Sequence, residues 1–423
     1  MAESPHRTLT PAGTEILIEP LPHVRSCALG FWVRRGSRHE GAAEEGLAHF
    51  LEHTVFKGTG SFPTPDDLAE ATDRLGGHVD AFTGKEVACF YGKVLADQLP
   101  DLVRLLGDLV TTPRFDAEEL ARERSVILEE IAQSEDQPDD WVSELFYGRF
   151  WEGSPLAHPI LGRPEQVAAY GPAEARAFFE ATYRPENLVI TAAGALEPEP
   201  LMALLRPVLE RLPRGTAHGA GGPSLARPFL LNVPRRDLQQ VNLVLGFPAP
   251  SHQSPDRAAA NLLSHVLGGG AASRLFMELR ERRGLCYQVG SYLSPYADTG
   301  ALQVTASCAA GQARELVQRA MAECARVRER GVASDELDRA KLQARTSLVF
   351  SQESSSSRMF SLAHQAIHQG RLQSLDQQMA EIEAVTLADL ARVAAELLAP
   401  AGAGLSALGT QKGQEIRAKD LVA

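Results

Sequence analysis

The chain has 423 residues, 44% of them hydrophobic and 23% charged, which is the composition of an ordinary globular protein with two or three domains. Its net charge of −12 argues against a surface that binds nucleic acid or an anionic membrane. The five cysteines are odd in number, widely spaced and without a C-x-x-C pair, so we expect reduced, mostly buried thiols. The sequence shows no secretory or transit signal and no apolar run of membrane-spanning length. We therefore expect a cytoplasmic protein without nucleic-acid or membrane partners.

The first half of the chain predicts a strand, two helices, a β-hairpin and two long helices, in that order. The strand is expected at residues 24–34, the helices around residue 49 and at 65–75, the hairpin at 77–82 and 87–95, and the long helices at 98–110 and 117–133.

The second half repeats this order, which indicates an internal duplication. The repeated elements are a strand at 238–246, helices at 256–266 and 274–282, a strand pair at 286–293 and 301–307, and helices at 313–330 and 334–350. The segment between the halves is rich in glycine and lacks apolar periodicity, which is typical of a linker. We predict an α+β fold of two homologous lobes, residues 1–213 and 228–423, joined by a Gly-rich linker at residues 214–227.

Residues 49–53 read His-Phe-Leu-Glu-His, the H-x-x-E-H pattern of an inverted zinc-peptidase helix. Histidines four residues apart lie on the same side of a helix, so both His49 and His53 can reach one tetrahedral Zn²⁺ ion. Glu52 lies on that side too, where a carboxylate can take a proton from zinc-bound water without being a ligand. The other positions are apolar or small, which indicates a buried helix whose polar side chains must be paired or bind metal. The alternative is a pair of hydrogen-bonded histidines in the core.

Catalytic zinc usually has three protein ligands, and the best candidate for the third is Glu130. Glu123 and Glu130 are seven residues apart in the helix predicted at 117–133, so they stack along one side, at the edge of its apolar stripe. Glu129 points nearly opposite, toward solvent. Helical phase therefore favours Glu130 as the ligand, with Glu123 as a carboxylate that orients the site or balances its charge. The alternative is that both are partly exposed helix charges.

These motifs and several others together resemble the M16 (pitrilysin-like) metallopeptidases of the M16B subgroup, the group of the mitochondrial processing peptidase β subunit and its bacterial homologues. The matching segments are HFLEHTVFKG (49–58), GGHVDAFTGKEVACFY (76–91), ERSVILEE (123–130), PILG (159–162) and YRPENLVITAAG (183–194). The resemblance extends over essentially the whole chain.

The resemblance implies that each lobe is a mostly antiparallel sheet covered by helices, and that zinc is held by the residues already singled out. Glu52 would be the general base and Glu123 the supporting glutamate. The corresponding helix of the second lobe holds His265 but no nearby carboxylate, so we expect one Zn²⁺ ion per chain.

The resemblance also assigns Arg280 and Tyr287 in the second lobe to substrate and transition-state binding, where a guanidinium and a phenol can stabilise a developing oxyanion. The alternative is an exposed helix arginine and a tyrosine packed in the core.

The strand segment Asp80, Ala81, Phe82 and Thr83 matches the family's edge strand, which pairs with an extended peptide through its backbone. Asp80 stands where asparagine is usual in the family, and Phe82 where tyrosine is common. The backbone pairing should persist, and the charge of Asp80 favours basic peptides.

We therefore predict a zinc-dependent endopeptidase that hydrolyses short, unfolded peptides inside a two-shell chamber. Relatives of this size supply half of such a chamber, so a homodimer is expected, with a heterodimer of two paralogues as the alternative. A non-catalytic scaffold and a metal hydrolase acting on other substrates are rival interpretations; the intact zinc motif argues against the scaffold.

Overall fold

The computed structural model describes residues 5–212, 222–411 and 413–422; residues 214–221 of the predicted linker lie outside this part of the chain. The described residues contain eleven strands: β1 (His6–Leu9), β2 (Glu15–Pro20), β3 (Ser26–Val33), β4 (His78–Thr83), β5 (Ala88–Leu95), β6 (Leu188–Gly194), β7 (Phe229–Val233), β8 (Gln240–Ala249), β9 (Cys286–Pro295), β10 (Gly300–Ala309) and β11 (Gly404–Leu408).

The same part of the chain contains fourteen α-helices: α1 (Leu47–Thr54), α2 (Pro65–Arg74), α3 (Leu99–Thr111), α4 (Ala117–Asp136), α5 (Pro138–Phe150), α6 (Pro164–Val167), α7 (Pro172–Thr182), α8 (Pro198–Arg211), α9 (Arg257–Gly268), α10 (Ala313–Arg330), α11 (Ser334–Ser351), α12 (Ser355–His364), α13 (Leu375–Ala384) and α14 (Leu387–Leu397). None of these described helices combines the length and the hydrophobicity that a membrane crossing requires.

The chain divides into two compact units that are not contiguous in sequence. The first unit comprises Met1–Ala132, His158–Gly222 and Phe350–Leu372, and the second comprises Gln133–Ala157, Pro223–Val349 and Gln373–Ala423. The predicted lobes were contiguous in sequence, but α5 from the first predicted lobe belongs to the second unit, and α12 from the second predicted lobe belongs to the first unit. The sequence could not reveal this exchange, because periodicity shows that a helix has an apolar face but not which sheet that face covers.

The first unit contains a six-stranded sheet with the order β1-β2-β6-β3-β5-β4. Neighbouring strands are antiparallel except β2 and β6. Side chains of the central strand β3 alternate between two apolar layers, as expected for a strand covered on both faces. Leu29 and Phe31 pack in the larger core with α1 and α3, whereas Ala28 and Trp32 pack on the opposite face with Met359 of α12. Strand β4 ends the sheet as an edge.

The second unit contains a five-stranded sheet with the order β7-β11-β8-β10-β9, again antiparallel except for one pair, β7 and β11. One face packs against α9, α10 and α14. The other face is covered by α5, whose Phe146 and Phe150 pack with Val244 of β8 and Leu408 of β11.

The two sheets share one topology, because β2-β6-β3-β5-β4 and β7-β11-β8-β10-β9 have the same order and the same single parallel pair. This confirms the prediction of an α+β fold with repeated halves. All five cysteines are free and buried, as expected from their spacing.

Candidate metal centre

Helix α1 is fixed at its N-terminus by a buried carboxylate and a close glycine contact. Glu40 accepts hydrogen bonds from the backbone N–H groups of Gly46 and Ala48, both at 2.8 Å. These N–H groups lie at the start of the helix, where no carbonyl of a preceding turn is available, and they need a partner from outside the helix. Gly46 has a φ of 91°, and a Cβ built on it would lie 2.6 Å from the Cα of Gly162. The PILG segment, which ends at Gly162, therefore packs directly against the start of α1.

His49, His53 and Glu130 bring three potential ligand atoms together. Helix α1 presents the Nε2 atoms of both histidines, and α4 presents Glu130 Oε2. This oxygen lies 3.7 Å from His49 Nε2 and 3.4 Å from His53 Nε2. The donor atoms of these three residues all lie within 4.8 Å of one another.

The donor atoms fit a Zn²⁺ ion in kind and in spacing. Zinc binds imidazole nitrogen and carboxylate oxygen at about 2.0–2.2 Å, and tetrahedral geometry then places two donors about 3.4 Å apart. The separation of 3.4 Å between His53 Nε2 and Glu130 Oε2 matches this value. Three protein ligands leave one tetrahedral position for water or substrate, which is the arrangement of catalytic rather than structural zinc.

Helix α4 faces α1 with the side that carries Glu123 and Glu130. Its apolar stripe is buried, and Glu123 is buried beside that stripe with 7% of its surface exposed. Glu130, two turns later, is half-buried, whereas the adjacent Glu129 is exposed. The structure thus places Glu130 against the histidines and Glu129 away from them, as the helical phase predicts.

Glu123 connects His53 to a lysine. Its Oε1 lies 2.8 Å from His53 Nδ1, and its Oε2 lies 2.6 Å from the Nζ of Lys57. When His53 donates its Nδ1 hydrogen to this carboxylate, its Nε2 is left with a lone pair for a metal. Lys57 follows His53 by four residues, in the 3₁₀ turn Val55–Lys57. Spacing by one helical turn could have identified this lysine from the sequence.

Burial and neighbouring charges shift the pKa values of His53 and Glu123 in opposite directions, but they act in the same direction on His49. Burial, followed by the neighbouring His53, lowers the pKa of His49 to about 3, so this imidazole is neutral and able to bind metal. Burial also lowers the pKa of His53, but the surrounding carboxylates outweigh it and leave the pKa raised. Burial raises the pKa of Glu123, but contacts with His53 and Lys57 outweigh it, so the net pKa is lowered and the carboxylate stays ionised.

Glu52 lies on α1 with the two histidines, but it does not belong to the group of three converging donors. Burial raises the pKa of Glu52, and a hydrogen bond from Thr83 opposes the shift. Its Oε2 is buried and has no hydrogen-bond partner among the described residues. A carboxylate with a raised pKa and a free oxygen is suited to accepting a proton from a reacting group.

Strand β4 carries the four residues predicted to bind substrate, and their side chains alternate between the faces of the sheet. Thr83 lies on the side of α1, where its hydroxyl is 3.5 Å from a backbone carbonyl of that helix, and Ala81 packs against the larger core. Asp80 and Phe82 point to the opposite face, where Asp80 Oδ2 accepts a hydrogen bond from the Tyr91 hydroxyl at 3.2 Å. The four side chains therefore do not share one face of the sheet, and the backbone of β4 is the only feature through which all four residues could contact one substrate.

In the second unit, Arg280 and Tyr287 lie against each other. The guanidinium carbon of Arg280 is 5.0 Å from the ring centre of Tyr287 and 4.6 Å from that of Phe276. Arg280 belongs to the π-helical turn Phe276–Glu281, a form of helix that occurs frequently at functional sites. Tyr287 is 78% exposed, which contradicts the alternative of a tyrosine packed in the core.

His265 on α9 has no comparable surroundings within its own unit. Burial lowers its pKa, and its Nδ1 has no hydrogen-bond partner among the described residues. Within the described residues of the second unit, no three histidine, cysteine or acidic side chains converge as His49, His53 and Glu130 do.

Comparison with known families and proteins identifies the family of this chain. Residues 15–164 match the model described as "Insulinase (Peptidase family M16)", and residues 171–344 match the model described as "Peptidase M16 inactive domain". An uncharacterized zinc protease of Mycobacterium tuberculosis is 37% identical over 411 residues, which cover 94% of this chain and 91% of that protein. The uncharacterized zinc protease YmxG of Bacillus subtilis is 35% identical over 375 residues, covering 89% and 91%.

Two solved structures share the fold. A protease from Helicobacter pylori superposes with a TM-score of 0.89 at 21% identity, covering 96% of this chain and 99% of that one. A protein from Pseudomonas fluorescens described as a peptidase M16 inactive domain gives a TM-score of 0.91 at 22% identity, covering 98% and 100%. With relatives this similar over nearly its full length, the chain belongs to peptidase family M16.

Proposed function

We propose that the chain is a zinc-dependent endopeptidase that hydrolyses short, unfolded peptides and holds one Zn²⁺ ion. The observation that carries this proposal is the convergence of His49, His53 and Glu130 at zinc-ligand spacing beside the buried carboxylate of Glu52. The relatives named zinc proteases support the same assignment.

The bound metal would supply Lewis-acid polarisation of the scissile carbonyl and make a water molecule nucleophilic at neutral pH. The protein supplies the movement of protons. Glu52 takes the proton of the attacking water and later delivers it to the leaving amine, as its raised pKa and unpartnered Oε2 favour. Glu123 holds His53 in the tautomer that leaves Nε2 free.

The edge strand β4 would bind the substrate as an added strand. Its outer backbone groups lie at the end of the sheet, so an extended peptide can pair with them without regard to most of its side chains. Side chains on one face of that peptide would meet Asp80, whose negative charge favours basic residues. Its Oδ2 accepts a hydrogen bond from the Tyr91 hydroxyl, and its Oδ1 accepts one from the backbone N–H of Ala81.

Arg280 and Tyr287 would bind the substrate carbonyl and the developing oxyanion. Their mutual contact and the exposure of Tyr287 support a binding role for the pair. Because relatives of this size supply half of a two-shell chamber, the active form would be a homodimer, with pairing to a paralogous chain as the alternative.

The test combines metal content with peptide cleavage. We expect one zinc ion per chain and hydrolysis of an internally quenched fluorescent peptide. The Glu52→Gln variant should keep the metal and lose about 10²–10⁴-fold in kcat, because only the proton acceptor is removed. Stoichiometric zinc without any Glu52-dependent cleavage would contradict the peptidase and favour a metal hydrolase that acts on other substrates.

A further inference from the structure

We propose that Lys57 is a positioning residue of the metal centre, which acts through Glu123 to aim His53 at the metal. This inference rests on the zinc site of the proposed function and adds to it a residue outside the H-x-x-E-H pentad and the glutamate pair. It is carried by the chain of contacts from Lys57 Nζ to Glu123 and from Glu123 to His53.

The two carboxylate oxygens of Glu123 contact different residues. Oε1 lies 2.8 Å from His53 Nδ1, and Oε2 lies 2.6 Å from Lys57 Nζ. The last torsion of a glutamate side chain has only a broad rotational preference, so a single contact does not fix the plane of the carboxylate. A second contact on the other oxygen does fix it. Lys57 thereby determines the direction in which Oε1 meets the imidazole.

The backbone places Lys57 for this contact. The 3₁₀ turn Val55–Lys57 continues α1, so Lys57 lies about one turn beyond His53 on the side that faces α4. Gly58 then turns the chain away with a φ of 132°, where an added Cβ would lie 2.6 Å from the carbonyl oxygen of Pro63. A residue with a side chain would not fit at that position.

His53 depends on this support more than His49 does. The side chain of His49 is 7% exposed and is held by the packing around α1. The side chain of His53 is 22% exposed and is held through its Nδ1 contact with Glu123. Groups that orient a metal-binding histidine through its other ring nitrogen typically change metal affinity by 10–100-fold when they are removed.

Positioning and simple charge predict opposite results for the removal of Lys57. If the ammonium acted only as a nearby positive charge, it would repel a dication, and its removal would tighten zinc binding. If it positions Glu123, its removal loosens His53 and weakens zinc binding. The sign of the change in affinity therefore separates the two roles.

The experiment measures the Kd of the full-length chain for Zn²⁺ by competition with a chromophoric chelator. We expect Lys57→Met to weaken binding by about tenfold or more. Lys57→Arg, which keeps the charge and the donors, should restore most of the affinity. Lys93→Met on β5, which removes an exposed lysine of the same unit, should leave it unchanged. Circular dichroism of the metal-free variants checks the fold, and Lys57→Gln provides a second variant of similar length.

A double-mutant cycle tests whether Lys57 affects zinc affinity through Glu123. In a Glu123→Gln background, Lys57→Met should cause little further loss of zinc affinity, since the Glu123 carboxylate through which Lys57 acts is already absent. Unchanged or tighter binding by Lys57→Met, or a full additional loss in the Glu123→Gln background, would overturn the inference while leaving the proposed function intact. Failure of the parent chain to bind zinc would instead contradict the proposed function itself.

Discussion

Glu129 and Glu130 are neighbours in sequence, but only Glu130 faces the histidines of α1. The pair therefore offers a matched test of the ligand set. Glu130→Gln should abolish stoichiometric zinc binding, because it removes one of the three proposed ligands, whereas Glu129→Gln should bind zinc like the parent chain. Metal content after dialysis against a weak chelator measures both. Equal zinc retention by the two variants would contradict the assignment of Glu130.

Tyr287 provides a second test at the scale of single residues. If its hydroxyl stabilises the developing oxyanion, Tyr287→Phe should lower kcat by about 10²-fold or more with a smaller change in KM. Tyr292→Phe, on the same strand β9, is the matched control and should retain the activity of the parent chain. Steady-state kinetics on a quenched fluorescent peptide distinguishes the two. A rise in KM alone would show that Tyr287 binds the ground state and the transition state equally, and would contradict selective stabilisation of the oxyanion.

At the scale of elements, the loop before α1 carries an unusual carboxylate. Burial raises the pKa of Glu40 to about 8, against the hydrogen bonds from Ala48 and Gly46 and with a smaller rise from nearby acidic residues. Because the folded state holds this proton more tightly than the unfolded chain does, Glu40 contributes less to stability as the pH rises from about 4.5 to about 8.

The Glu40→Gln variant should therefore lose less stability than the parent chain between pH 5 and pH 8. Urea-unfolding midpoints at both values measure this difference, with Glu44→Gln in the same loop as the control. Parallel declines in the parent chain and the Glu40→Gln variant would show that Glu40 does not titrate in this range.

Helix α12 supports the edge strand through an aromatic cluster formed by Trp32, Phe82, Tyr91 and Phe360. Phe360 on α12 lies 5.3 Å from Trp32 and 5.0 Å from Tyr91, ring centre to ring centre, and stacks on Phe82. Phe360→Ala should lower the free energy of unfolding by about 2 kcal/mol and raise KM for peptides, since β4 loses its support. The exposed Phe350→Ala is the control. A loss of stability with unchanged KM would separate α12 from substrate binding.

Local periodicity predicted the parts of the candidate site that lie on regular helices. Four-residue spacing identified His49 and His53, and the phase of α4 selected Glu130 over Glu129. Periodicity could not identify Glu40, because this residue acts from an irregular loop whose path is fixed only by tertiary contacts such as that between Gly46 and Gly162. Spacing by one helical turn places Lys57 near His53, but it does not predict the contact of Lys57 with Glu123, because a lysine at the end of a helix is usually a solvated charge.

At the scale of the whole molecule, the chamber model makes a prediction about assembly. A chain that supplies half of the chamber should form dimers at micromolar concentration, and multi-angle light scattering of the purified chain measures the mass directly. A monomer that cleaves peptides at the same concentration would contradict the chamber. A dimer that forms only with a paralogous chain would support the heterodimer instead.

The repeat of the fold was predictable from the order of strands and helices in the two halves, and both hairpins lie within two residues of their predicted positions. The exchange of α5 and α12 was not, because it depends on contacts between segments far apart in sequence. Phe146 of α5 packs beside β8, and Met359 of α12 packs beside β3, about 100 and about 330 residues away along the chain.

The same exchange sets an order of events during synthesis. A chain grows from its N-terminus, so α12 leaves the ribosome only after most of the second unit has been made. Until then one face of the first sheet, including Leu17, Trp32 and Val189, has no helix to cover it. The scaffold of the candidate metal centre is thus completed late in translation, and a nascent chain interrupted before residue 350 presents an apolar surface that chaperones and proteases can recognise.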